Sequence, residues 1–126
     1  AVSALDLLAP AKAESSAQVA TRVAAARAIQ SERYRLMAAS DGGHSITNNA
    51  ATTPAMIEKI IELDASGRTL LQEAANRLAL SARAYHRILK VARTLADLEN
   101  ARDVARIHIA EAISYRRLSS SHILVA

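Results

Sequence analysis

The stretch from Leu80 to Leu98 constrains the fold more than any other part of the chain, because its apolar residues recur with a helical period. Ser81 opens a run without Gly or Pro, which is typical of a helix N-cap. At about 100° per residue, one side of this run is apolar. That side carries Tyr85, Ile88, Leu89, Ala92, Leu95 and Ala96, widened by Val91 and Leu98. The pattern predicts a helix over Ser81–Leu98 that packs through this face.

The opposite arc of the same helix is basic, with Arg83, His86, Arg87, Lys90 and Arg93. Arg83 falls in the first turn, where the helix dipole is positive and a cation is unfavourable by about 0.3–1 kcal/mol. A bound phosphate would reverse that sign, since free N–H groups, the dipole and a guanidinium would all hold it. Residue chemistry alone favours the simpler interpretation, a solvated arginine.

The chain resembles the C-terminal segment of magnesium chelatase-like AAA+ ATPases, most closely the competence-related ComM-type branch. The likeness rests mainly on 80–85, 87–94 and 96–98, and extends to Glu14-Ser15-Ser16, to scattered positions from Arg22 to Tyr34, and to 108–116. It covers most of the chain. The photosynthetic magnesium chelatase subunits resemble it less closely, so a role in porphyrin metallation is not favoured.

This resemblance implies the helical lid behind a nucleotide-binding core, with Arg83 in the position of the sensor-2 arginine that reaches the nucleotide phosphates. Arg87 and Lys90 are secondary candidates, either for the nucleotide or for contacts to the core domain. The implied cofactor is ATP with Mg²⁺, bound by the full-length protein rather than by this segment. The implied partners are the chain's own core domain, ring-forming copies in a cytoplasmic hexamer, and DNA undergoing recombination.

Composition agrees with an all-helical domain. The 126 residues contain only three Gly and two Pro, so few turns are available, and no Phe or Trp, so the core must be aliphatic. We expect an all-α five-helix bundle with flexible termini, in which short connections make neighbouring helices antiparallel. The predicted division is 1–14 as the connection from the missing core, 15–118 as the lid and 119–126 as a disordered tail.

Local signals locate the other four helices. The first begins at Ser15 or Ser16, with Gln18 completing a capping box, and runs to about Ala38 along a weak inner stripe. A loop with a solvated His44 is expected over 40–53, followed by a short helix that begins at Thr53-Pro54 and is buried through Met56, Ile57, Ile60 and Ile61. A third helix is expected to be capped by Asp64 or Ser66 and to have an apolar stripe from Leu70 to Leu78. A last helix is expected over about 105–117. The inner stripe of the first helix is predicted to hold Val19, Val23, Ala26 and Met37, and its arginines are predicted to be solvated.

The net charge and the lack of cysteine leave some kinds of function possible and exclude others. The net charge of +4 is compatible with a polyanionic partner, and the lack of cysteine removes disulfides, thiol catalysis and Cys-ligated zinc. No run reaches the ~18 apolar residues of a membrane span, and the N-terminus does not have the pattern of a signal peptide. The missing initiator Met suggests a segment of a longer chain.

Catalytic motifs are lacking in the sequence. There is no Gly-x4-Gly-Lys-Ser/Thr, so the segment should not hydrolyse ATP by itself. No histidine pair has metal-ligand spacing, and His108 is interpreted as a packing or capping residue. Glu58 and Glu62 are expected to face solvent. The alternative to a lid is an autonomous basic helical module that binds DNA or another protein.

Overall fold

A computed structural model of the chain describes residues 14–40, 43 and 45–125, with side chains described as far as Arg116. The predicted N-terminal connection, apart from Glu14, lies outside the described residues, as do His44 and the side chain of His122. Within them the chain forms five α-helices and a short 3₁₀ turn, so the expected all-α fold is confirmed. The helices are α1 (Ser16–Ser40), α2 (Pro54–Ile60), α3 (Ala65–Arg77), α4 (Ala82–Leu98) and α5 (Arg106–Val125), and the 3₁₀ turn is Asn49–Ala51.

The predicted caps begin the helices. Before α1, the Ser15 N–H donates to Gln18 Oε1 (2.9 Å) and the Gln18 N–H donates to Ser15 Oγ (3.1 Å), which completes the capping box. Thr53 caps α2 with Pro54 at its start, and Asp64, not Ser66, caps α3. Each of these side chains accepts a backbone N–H that the helix itself cannot satisfy.

Helix α4 lies at the centre of the bundle and packs against α1, α2 and α5, while α3 packs against α5. The core is aliphatic, as the composition requires. Its buried members are Ile57, Ile61, Leu71, Ile88, Leu89, Ala92, Ala96, Val104, Ile109, Ala112 and Ile113. The predicted apolar face of α4 is therefore the face on which the other helices assemble, except for Val91, which was expected to widen that face but is 39% exposed.

A residue in the left-handed backbone conformation follows the last turn of α3, and another follows the last turn of α4. Ala79 (φ 48°) follows α3 and Asn100 (φ 56°) follows α4. In each case the next N–H donates to a carbonyl five residues back, from Leu80 to Ala75 (3.0 Å) and from Ala101 to Ala96 (2.8 Å). This is the Schellman arrangement, and it reverses the chain abruptly before and after α4.

Three expectations about the helices need correction. The apolar stripe of α1 is only partly buried: its buried residues are Ala26, Gln30 and Tyr34, while Val19 is 38% exposed. Leu78 at the end of α3 is also largely exposed, at 37%. The last helix ends at Val125 rather than near Arg117, so it continues into the segment expected to be a tail. The serines there have moderate helix propensity, and no Gly or Pro stops the helix.

Candidate functional site

The start of α4 is fixed by its cap and by its buried face. Ser81 Oγ accepts a hydrogen bond from the Ala84 N–H (3.1 Å), and the Ser81 carbonyl accepts from the Tyr85 N–H (2.9 Å). Ile88 and Leu89 are 2% and 3% exposed and hold the helix against the core. The rotation of α4 is therefore set: Ala84, at 6% exposure, faces the core, whereas Arg83 and Arg87 face outward.

The three predicted site residues lie along one groove on this outward face. Arg83, Arg87 and Lys90 all line an open groove of about 700 Å³ that follows α4. Arg83 and Arg87 are exposed, and neither makes a hydrogen bond or ion pair with another residue in the part of the chain that the structure describes. Lys90 Nζ donates to the Ala50 carbonyl oxygen (3.1 Å), which ties the 3₁₀ turn to the edge of the groove.

The remaining walls of the groove are mostly apolar. They consist of Ala50, Pro54, Ala82, Val91 and Leu95, together with His86 and Thr94. None of the described residues lining the groove is an Asp or a Glu. A groove with cations on its rim and no carboxylate in its described lining suits an anion.

His86 is oriented by its own helix. Its Nδ1 lies 2.7 Å from the Ala82 carbonyl oxygen and so donates to it, which leaves Nε2 facing Glu58 Oε1 at 3.5 Å. Glu58 and Glu62 are exposed, as expected. His86 is thus partly occupied by contacts within the domain, unlike Arg83 and Arg87.

Arg93 departs from the prediction. The helical period places it on the basic face, but it is 3% exposed. Its Nε donates to Asp97 Oδ1 (3.2 Å), and its two Nη groups donate to the carbonyls of Arg102 (3.1 Å) and Ala101 (2.9 Å). The turn after α4 folds back over this end of the helix, so a position that faces outward at Arg83 faces inward at Arg93.

Asp97 is the centre of a buried polar cluster that the sequence did not predict. Arg33 binds its carboxylate with both Nη groups (2.6 and 3.0 Å), and Asn49 Nδ2 donates to it at 3.0 Å. Burial alone would raise the pKa of Asp97, but the hydrogen bonds from Arg33 and Asn49 and the charge of Arg93 hold that pKa below its ordinary value. The expectation that the arginines of α1 are solvated was therefore wrong for Arg33.

Asn49 extends this cluster across the 3₁₀ turn. Its Oδ1 accepts from the Tyr34 hydroxyl (2.6 Å), and its own N–H donates to Gln30 Oε1 (2.9 Å). Asn49 is 1% exposed, so it joins α1 to α4 from inside the protein. The only local signal was the i,i+4 spacing of Arg93 and Asp97, which suits an ion pair on any helix.

His108 has the capping role expected of it, with a polar partner that the sequence did not reveal. Its Nδ1 accepts from the Ala105 N–H (2.9 Å), so in the neutral ring Nε2 carries the hydrogen that is donated to Glu99 Oε2 (2.8 Å). It is 3% exposed and starts α5. Among the described residues, no group of three or more His, Asp or Glu side chains is arranged to hold a metal ion.

None of the helices in the described part of the chain combines the length and the apolar character needed to cross a membrane.

Comparison with known proteins gives a consistent result. Residues 13–116 match the model of the family described as magnesium chelatase, subunit ChlI C-terminal. The chain is 39% identical over 107 residues to the competence protein ComM of Haemophilus influenzae, and 38% identical over 107 residues to the uncharacterized protein YifB of Salmonella typhimurium. Each alignment covers 85% of this chain but only 19% of the relative, so the chain spans about a fifth of the length of these proteins.

Proposed function

The chain belongs to the family of magnesium chelatase ChlI C-terminal domains, and from this premise we propose that it is the helical lid of a ComM-type AAA+ ATPase. In this proposal Arg83 is the sensor-2 residue, which meets the phosphates of ATP held by the core domain of the same parent protein. It stabilises the charge that develops on the terminal phosphate and couples the position of the lid to the state of the nucleotide.

The observation that carries the proposal is the free guanidinium of Arg83. It is exposed in the first turn of α4, behind the Ser81 cap, and no described residue neutralises it. A cation beside the positive end of a helix is unfavourable in isolation, whereas an anion bound there would be stabilised by the dipole and the arginine together. Arg33 and Arg93, in contrast, are both occupied by Asp97.

Arg87 and Lys90 have supporting roles in this proposal. They follow Arg83 along the same groove, where they would bind either further phosphate oxygens or carboxylates of the core domain. Their long side chains need no rearrangement of α4 to do so, because the core face fixes the helix.

The chain supplies only one side of such a site. It has no phosphate-binding loop motif, and its described residues offer no carboxylate cluster for Mg²⁺, so ATP and Mg²⁺ would be held mainly by the rest of the parent protein. ATP supplies the phosphoryl group whose transfer drives the motor; Arg83, Arg87 and Lys90 bind and orient it. The proposed partners are the core domain, neighbouring copies in a cytoplasmic ring, and DNA as the polymer on which the motor acts.

The test is an alanine substitution in the full-length protein. Arg83→Ala should lower ATP turnover by about 10²–10³-fold, as expected when one charge-stabilising donor is lost. Arg68→Ala is the matched control, since Arg68 is also an exposed arginine near the start of a helix, without a partner among the described residues. It should retain turnover within about twofold.

Turnover of the Arg83→Ala protein within twofold of wild type would end the proposal. The rival function, a module that binds DNA by itself, is favoured by the same row of cations. It would appear as binding of DNA by the 126-residue chain, with a steep loss of affinity as salt rises. A lid should bind DNA weakly even at low salt, so a mobility-shift assay at two salt concentrations separates the two functions.

A further inference from the structure

A second cleft lies on the other side of the 3₁₀ turn from the Arg83 groove. It has a volume of about 580 Å³ and lies between α1, the residues just before and within the turn, and the end of α4. Ala50 and Thr94 line both cavities, but Arg83, Arg87 and Lys90 do not line the second one. Its chemistry is therefore set by a different group of residues.

Gln30 is the most informative residue in the second cleft. It lines the cleft yet is only 7% exposed. Its Oε1 accepts from the Asn49 N–H at 2.9 Å, which fixes the orientation of the amide. The Nε2 group has no acceptor among the described residues. Buried side-chain donors usually have a partner in folded proteins, so this NH₂ group is available to an acceptor that enters the cleft.

The other polar groups at the cleft are also donors. Arg27 is exposed and has no partner within the described part of the chain. Asn48 uses its Oδ1 to accept from the Ala51 N–H (3.1 Å), which leaves its NH₂ group free, and Ser31 adds a hydroxyl. None of the described residues that line the cleft is an Asp or a Glu. Arg27 carries the one formal charge among the described lining residues, and the hydroxyls of Ser31 and Thr47 can donate or accept. One guanidinium with neutral amide donors beside it matches an acceptor group with a single negative charge.

The cleft also has apolar lining residues, namely Val23, Ala26 and Leu98. A ligand that fills it should therefore carry an aliphatic part beside its acceptor group. We propose that this cleft binds a carboxylate carried on a short aliphatic stem, with the Arg27 guanidinium and the Gln30 NH₂ group as the main donors. Two sources share this chemistry: a small organic acid, and an acidic side chain flanked by apolar residues in another polypeptide.

Pentanoate is the probe for the carboxylate. Titrated into the ¹⁵N-labelled 126-residue chain, it should shift the amide signals of residues 23–31 and 47–50 saturably, with a Kd of about 10 mM or below, as expected for so small a ligand. Arg27→Gln should weaken binding about tenfold, since a charge-assisted hydrogen bond is lost. Gln30→Glu keeps the acceptor for the Asn49 N–H but replaces the donor by a negative charge, and should abolish binding.

Two controls make the result specific. Arg35→Gln removes the same charge from an exposed site on the same helix, outside the cleft, and should leave the Kd unchanged. Arg83→Ala should also leave it unchanged, so failure of the lid proposal and failure of this one are distinguishable. Amide spectra of the free variants establish that each is folded.

Further ligands identify the source of the carboxylate. Tighter binding of the peptide acetyl-Leu-Glu-Leu-amide than of pentanoate would support a polypeptide, and equal or weaker binding would support a small acid. Three results would overturn the proposal: no saturable shift with either ligand, equal affinity for inorganic phosphate, or wild-type affinity in both Arg27→Gln and Gln30→Glu.

Discussion

Arg83 and Arg93 lie on the same helix and on the same predicted face, but their surroundings are opposite. Arg83 is exposed and no described residue pairs with it, whereas Arg93 is 3% exposed and bonded to Asp97 and two backbone carbonyls. The N-terminal end of α4 thus has a positive charge available for a ligand, whereas the charge of Arg93 near its C-terminal end is used within the fold. A basic face on a helical wheel therefore does not by itself identify a binding surface.

The difference arises from what covers each end of α4. The turn after α4 and the C-terminal half of α1 enclose Arg93, and Asn49 closes the same region through the 3₁₀ turn. Near Arg83 the open groove leaves the outer face of α4 accessible. We therefore expect substitutions near Arg93 to change stability, and substitutions near Arg83 to change ligand-dependent activity with little effect on stability.

The largest effect is expected at the enclosed end, from Asp97→Ala. Removing the carboxylate leaves the buried Arg93 and the partly buried Arg33 without their counter-ion, which should lower the free energy of unfolding by about 3–5 kcal/mol. Urea denaturation of the 126-residue chain at pH 7, followed by circular dichroism, measures this. Asp103→Ala removes an exposed carboxylate nearby and should change stability by less than about 0.5 kcal/mol. Equal free energies of unfolding for Asp97→Ala and Asp103→Ala would show that Asp97 does not stabilise the fold.

The pH dependence of stability tests the Asp97 end of α4 by protonation instead of substitution. The expected loss of stability is smaller than in Asp97→Ala, because a protonated Asp97 still makes hydrogen bonds. The pKa of Asp97 is lower in the folded protein than its ordinary value. The unfolded chain therefore binds the proton first, so the stabilisation is complete above the unfolded pKa of about 3.9 and is lost as the pH falls through the folded pKa.

The free energy of unfolding, measured with urea at several pH values from neutral into this acid range, should fall in the wild type as Asp97 is protonated. In Asp97→Asn the part of this fall that comes from Asp97 should be absent. Glu32→Gln is the control, since the Arg35 hydrogen bond also lowers the pKa of Glu32, but that group is exposed. The Glu32→Gln variant should still lose most of the stability that the wild type loses at acid pH. Parallel curves for wild type and Asp97→Asn would show that Asp97 does not link protonation to unfolding.

The same contrast explains which features could be predicted from sequence. Three features depend on neighbours along one helix: the Ser81 cap, the apolar face of α4 and the grouping of Arg83, Arg87 and Lys90. The structure has all three, although Val91 is exposed rather than part of the packed face. Such features follow from helical period and cap chemistry, which are local. Whether Arg83 contacts a nucleotide stays a prediction.

The buried cluster depends instead on residues far apart in the chain. Arg33 and Asn49 reach Asp97 from α1 and from a segment expected to be an irregular connection. No period or motif connects these positions, and Arg33 looks in sequence like any solvated arginine on a polar helix. The partial burial of α1 was missed for the same reason: polar residues, including Gln30, make much of its contact with the bundle.

The smallest effect is expected at the open end, from Arg83→Ala in the 126-residue chain. Because Arg83 has no described partner and lies by the positive end of α4, its removal should leave the free energy of unfolding unchanged or raise it by up to about 1 kcal/mol. Urea denaturation at low and moderate salt measures this, and any gain should shrink as salt screens the helix dipole. Arg68→Ala near the start of α3 should behave similarly, since it is also exposed near a helix N-terminus. A loss of more than about 1 kcal/mol on Arg83→Ala alone would mean that Arg83, like Arg93, is used by the fold, and a residue committed to the fold would not be free to bind phosphate.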